Sequence, residues 1–109
     1  MRITISGNRI AIRSWGREKF AADASELSGV RVTTGGGYTP VRLASALVDR
    51  GAKLKEIALH AGANGVALGP RAAGFADLVP WLKQQGWAMD AAITEAIRTP
   101  LVSVAVSKT

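Results

Sequence analysis

The chain has 109 residues, 48% apolar and 20% charged, with 14 Lys and Arg against 8 Asp and Glu, a formal net charge of +6. These values exclude a disordered class and fit one domain, 1–109, that buries about 60–70% of its unfolded surface. Cysteine is absent, which excludes disulfides and thiolate metal sites, and no window approaches the run of about eighteen apolar residues that a membrane span needs.

Met1 to Gly7 alternates polar and apolar residues and lacks the unbroken apolar run of a signal peptide, which predicts a cytoplasmic protein. Ile3 to Ser6 and Arg9 to Ile12 are alternating runs joined by Gly7-Asn8, the pattern of a two-residue β-hairpin. Pairing Ser6 with Arg9 sets the register. Ile5 then faces Ile10 and Ile3 faces Ile12 on a core side, while Thr4 meets Ala11 and Arg2 meets Arg13 on a wet side. Two opposed arginines are mildly unfavourable unless twist separates them or an anion lies between them.

Between Arg17 and Leu27, the positions Phe20, Ala24 and Leu27 follow helical spacing, with Gly29 placed to end a short helix. Val30 to Thr33 is a brief strand candidate, followed by Gly35-Gly36-Gly37. Thr39-Pro40 has the form of an N-cap and first helical position, which predicts a helix with Val41, Ala44 and Val48 on one stripe and Gly51 at its end. Leu54, Ile57, Ala58 and Ala61 repeat the helical stripe up to Gly62, so a second helix is expected after a tight turn. Five breakers from Gly62 to Gly74 predict mostly loop.

Asp77 is placed to cap a helix from Leu78 to Gln85, with Pro80 in its first turn and Gly86 as terminator. A further helix is expected over Asp90 to Arg98, before Pro100. Leu101 to Ser107 alternates Val102, Val104 and Val106 with small residues, the pattern of a strand with one buried face. Together these elements predict an α+β fold. Its small antiparallel sheet consists of the N-terminal hairpin and the C-terminal strand, with a short strand near 30–33, and is covered by three to five short helices.

Charge is segregated. Met1 to Lys19 carries +4 and Arg42 to Lys55 carries +3, and the remainder balances to −1. Concentrated positive charge attracts polyanions far better than scattered lysines do. Arg2, Arg9 and Arg13 share the wet face of the first hairpin, Arg17 and Lys19 follow closely, and Trp15 lies among them. Arginines interleaved with an aromatic hold single strands or RNA by neutralising the backbone and stacking a base. The competing reading places Trp15 at the edge of the core, with the arginines merely solvated. Lys53 and Lys55 extend the charge if the two blocks share a surface.

Leu54 to Gly62 resembles the first helix and turn of a helix-turn-helix, but Gly65, Gly69 and Pro70 oppose a recognition helix after it. Gly35 to Gly37 before a capped helix could present backbone N–H groups to a phosphate. The spacing matches neither a Walker loop nor a dinucleotide fingerprint, and a flexible turn explains the glycines as well.

His60 is the sole histidine and is explained by a contact with Glu56 or with a helix C-terminus. Asp23 with Glu26 and Asp90 with Glu95 fit helix ends rather than acid-base work. No nucleophile and base can be named together, and no cofactor or metal is implied. Trp81 is assigned to the core, whereas Trp87 is left between core and surface.

The leading expectation is a small non-enzymatic binding protein that contacts DNA or RNA through Arg2, Arg9, Arg13, Trp15, Arg17 and Lys19, with Lys53 and Lys55 adding charge. The alternative is a protein-interaction module, such as an accessory or inhibitory protein of a mobile element. It would dock on an acidic protein surface or form a homo-oligomer through an unpaired terminal strand. A third reading is an enzyme holding a phosphate ligand at Gly35 to Thr39.

Overall fold

The computed structural model describes residues 1–35 and 54–109. Seven strands, β1 (Arg2–Ser6), β2 (Arg9–Ser14), β3 (Arg17–Asp23), β4 (Gly29–Thr34), β5 (Leu54–Ala61), β6 (Asn64–Leu68) and β7 (Val104–Ala105), accompany two helices, α1 (Phe75–Gln84) and α2 (Met89–Arg98). One sheet has the order β1-β2-β3 and the other β6-β5-β4-β7; all the strand pairs are antiparallel. The N-terminal hairpin and the last strand therefore belong to different sheets, and the described residues contain two α-helices instead of three to five. The helix expected over 39–50 and its turn at Gly51 lie outside the described residues.

The first hairpin has the register that its alternation predicts, from Arg2 opposite Arg13 to Ser6 opposite Arg9. Gly7 has φ +59°, and Asn8 is not in the left-handed region. That sign pattern is the one a type II′ turn requires.

The segment expected to be helical after Arg17 is instead strand β3, followed by one 3-10 turn over Ala24–Glu26. Phe20 and Ala22 are buried two apart against Ile12 and Ile10 of β2. The alternation was masked because the small Ala22 carries little weight in a pattern that also contains Ala24 and Leu27 at helical spacing. In addition, the ladder skips Lys19: Ile12 pairs with Phe20 but Arg13 with Glu18. This bulge interrupts the period of two.

The same device hid β5. Thr33 pairs with Glu56 and Thr34 with Leu54, leaving Lys55 as the extra residue. Leu54 and Ile57 are both buried although three apart in sequence, so a bulged strand imitates helical spacing. Beyond the bulge, Ile57 and Leu59 alternate with half-buried or exposed Glu56, Ala58 and His60. The expected loop after Gly62 contains β6, and no helix-turn-helix forms. Gly62 (φ +61°) turns the β5–β6 hairpin. A Cβ on Gly65 would lie 2.9 Å from His60 Nδ1, so the imidazole covers the glycine of the neighbouring strand. His60 is thus a strand residue between Gly29 and Gly65, and it is not at a helix end.

Helix α1 begins earlier than Asp77 predicts. Gly74 is its N-cap at φ +89°, Asp77 lies in the first turn, and Pro80 is the sixth helical residue. Glycine is required at 74, because an added Cβ would come within 2.5 Å of the Ile3 carbonyl oxygen in a backbone region that L side chains disfavour. The close approach forms the joint with β1: Ile3 N–H donates to Ala73 O at 2.7 Å and Ala73 N–H to Met1 O at 3.0 Å.

Phe75, Leu78, Trp81 and Leu82 of α1 and Met89, Ala92, Ile93 and Ala96 of α2 are buried. α1 packs against β1, while α2 packs against β4 and β7. Buried residues of both sheets and both helices form one continuous cluster, and β3 of the first sheet approaches β6 of the second. Thr34, a buried polar residue, donates its hydroxyl to Ala96 O at 2.6 Å and so ties β4 to α2.

The C-terminal strand is shorter than its alternation predicts. Leu101 adopts φ +66° and donates its N–H to Thr34 O, and this turn consumes the first half of the expected strand. Only Val104 and Ala105 join the ladder with β4. The tail continues past them, with Ala88 N–H donating to Ser107 O at 2.8 Å and Thr109 N–H to Gly86 O at 2.7 Å.

Candidate nucleic-acid interface

Strand alternation divides the first sheet into a face buried through Ile3, Ile10, Ile12, Phe20 and Ala22 and an outer face open to water. Cross-strand pairing arranges the outer face in three rows. Arg2, Arg13 and Glu18 form one, Thr4, Ala11 and Ala21 the next, and Ser6, Arg9 and Asp23 the third. Arg2, Arg9 and Arg13 do therefore share one surface, as the hairpin pattern implies.

The rows differ in charge. Arg9 Nη1 lies 3.0 Å from Asp23 Oδ1, and both side chains are about half exposed. This cation already has a carboxylate partner, contributed by β3, and the pair forms only because that segment is a strand. Among the described residues neither Arg2 nor Arg13 has an ion-pair partner, although they stand directly opposite one another. Like charges at that cross-strand distance repel, and an anion between them would relieve the repulsion.

β2 continues past Arg13 into the turn Ser14-Trp15-Gly16-Arg17, where Trp15 has φ +55° and Gly16 φ +75°. Left-handed backbone at both loop positions is the signature of a type I′ turn, which usually takes Asn-Gly. Tryptophan there is strained and, at 98% exposure, is in contact with almost nothing. Its expected alternative role at the edge of the core is excluded. Trp81 (4% exposed) and Trp87 (6%) are core residues instead. Trp81 Nε1–H donates to Gly7 O at 2.8 Å, which fastens α1 to the first turn, and the Lys108 ammonium lies 5.2 Å from the Trp87 ring centroid.

The other expected residues divide as follows. Arg17 pairs with Ser14, which by alternation places it on the face opposite Arg13, beyond the end of the core. Lys19 is the bulge residue beside Glu18 and is exposed. Lys55 is the bulge residue of β5, an inner strand of the second sheet, and is exposed. Lys53 and the glycines 36–37 lie outside the described residues. The acidic couples have local duties: Glu26 Oε1 accepts the Asp23 N–H at 2.8 Å, and Asp90 pairs with Lys83 at 2.9 Å.

The described residues contain no group of three or more His, Asp or Glu side chains placed to hold a metal ion. Among them, no helix is long and apolar enough to cross a membrane. Comparison with protein-family models, with curated proteins and with solved structures gives no match. Any functional reading therefore depends on the chemistry of the site itself.

Proposed function

We propose that this chain is a small, non-enzymatic, cytoplasmic protein that binds nucleic acid through the tip of its β2–β3 hairpin. The observation that carries the reading is Trp15. A large aromatic side chain gains nothing for the fold at 98% exposure, and it occupies a left-handed backbone position that favours glycine or asparagine. Local strain without a local benefit is characteristic of functional positions. Around it, Arg2, Arg13, Arg17 and Lys19 supply positive charge and Glu18 is the nearest carboxylate in the pairing scheme. Arg9 contributes less, because Asp23 already neutralises it.

An aromatic platform bordered by guanidinium groups suits a base flanked by phosphates. Four phosphate contacts would give a slope of log K against log salt of about −2.8 for a single strand, from roughly −0.7 per contact. Titration of labelled single-stranded DNA and RNA at several salt concentrations tests this. A slope near that value supports the proposal. Salt-independent binding, or no binding to any DNA or RNA, refutes it.

The terminal strand is not left unpaired but joins β4 through Val104 and Ala105, so self-association through it would have to use the outer edge of this two-residue strand. Docking on an acidic protein would use the same cations but would not explain the indole as directly.

A further inference from the structure

Building on that reading, we infer that the ligand is an unpaired strand crossing the hairpin tip, with one base stacked on Trp15 and the phosphates on either side held by Arg13 and Arg17. Arg13 belongs to the outer face, and Arg17 stands opposite Ser14 on the reverse face. The two side chains therefore leave the ribbon on opposite faces, one on each side of the Trp15-Gly16 turn in sequence.

The rest of the outer face does not continue the track. Its middle row, Thr4, Ala11 and Ala21, has neither charge nor aromatic surface, and its far row is neutralised by the Arg9–Asp23 pair. A strand lying along the sheet would meet free cations only at one end. A strand crossing the tip meets them on both sides of the indole.

Magnitudes favour an unpaired base over a duplex. Stacking on an aromatic side chain raises affinity about 5- to 150-fold per base. Prising open a paired stack to admit the ring lowers it by on the order of 100-fold, and so few cations leave little extra wrapping to compensate. A base already out of a duplex presents its face without that penalty. The type I′ turn also fixes the backbone of Trp15 before binding, which lowers the entropy lost on association.

Trp81 and Trp87 are buried, so the solvent-exposed part of the tryptophan emission reports on Trp15. The intact chain is titrated with a single-stranded DNA oligonucleotide, with the duplex of the same sequence, and with inorganic polyphosphate. The single strand is expected to quench that emission and to bind at least about 10-fold tighter than the duplex. W15A should weaken single-strand binding about 5- to 150-fold with the salt slope unchanged, while W15F should retain most of the affinity. R13Q and R17Q should each make the slope shallower by about 0.7.

Duplex bound as tightly as single strand overturns the inference and leaves the nucleic-acid reading standing. W15A binding the single strand as well as the parent chain overturns it too, and leaves nucleic-acid binding resting on the cations alone. Polyphosphate competing as well as DNA at equal charge also overturns it, because charge alone would then suffice. Failure of all three ligands, and of single-stranded RNA, to bind removes both proposals together.

Discussion

Replacing Trp15 by Asn separates folding from binding in a single variant. Left-handed backbone costs an ordinary L residue roughly 1–2 kcal/mol, and Trp15 sits there at φ +55°. Asparagine tolerates this region and, before Gly16, completes the favoured Asn-Gly pair of a type I′ turn. Because Trp15 is 98% exposed, almost no apolar burial is lost with the ring. W15N should therefore stabilise the fold by about 0.5–1.5 kcal/mol, which for a chain of this size raises Tm by about 2–6 °C. Affinity for a single strand should fall about 5- to 150-fold in the same protein. Thermal melting followed by circular dichroism and fluorescence anisotropy with a labelled oligonucleotide measure the two effects. A lower Tm would mean that the indole supports the fold after all, and unchanged affinity would mean that it is not the binding platform.

Other substitutions test the joints that shape the site. Gly74→Ala should destabilise the protein by at least about 2 kcal/mol in urea unfolding, because the left-handed backbone and the 2.5 Å approach to Ile3 O leave no room for a Cβ; a loss under 1 kcal/mol would show that the β1–α1 joint relaxes. Thr34→Val keeps the volume but strands the Ala96 carbonyl, at an expected cost of about 1–3 kcal/mol by the same assay. Arg9→Ala should leave both the salt slope and, within about 0.5 kcal/mol, the stability unaltered, since an exposed ion pair contributes little. Arg13→Ala should make the slope shallower by about 0.7, and equal effects at the two positions would contradict the neutralisation of Arg9 by Asp23.

The first hairpin was legible down to its register because the information is local. A two-residue turn between alternating runs leaves one pairing that puts Ile3, Ile5, Ile10 and Ile12 on a common face. The helix before Pro100 was legible for the same reason, since the ring prevents its continuation. β3 and β5 were misassigned because a bulged residue, Lys19 in one and Lys55 in the other, breaks the period of two. At the site, the shared surface of Arg2, Arg9 and Arg13 followed from register alone, whereas the pairing of Arg9 with Asp23 did not, since it needs β3 as a strand.

By itself, then, the amino-acid sequence determined the N-terminal ribbon, the gathering of its arginines on one face, and the helix that stops before Pro100. Each depends on residues within about a dozen positions of one another. Tertiary structure decided the division into two sheets, the exposure of Trp15, the burial of Trp87 and the loss of Arg9 from the free charge. A strand exists only where another chain segment satisfies its backbone, and a side chain is buried only where some other element covers it. Neither partner is encoded in the spacing of the residues that need it.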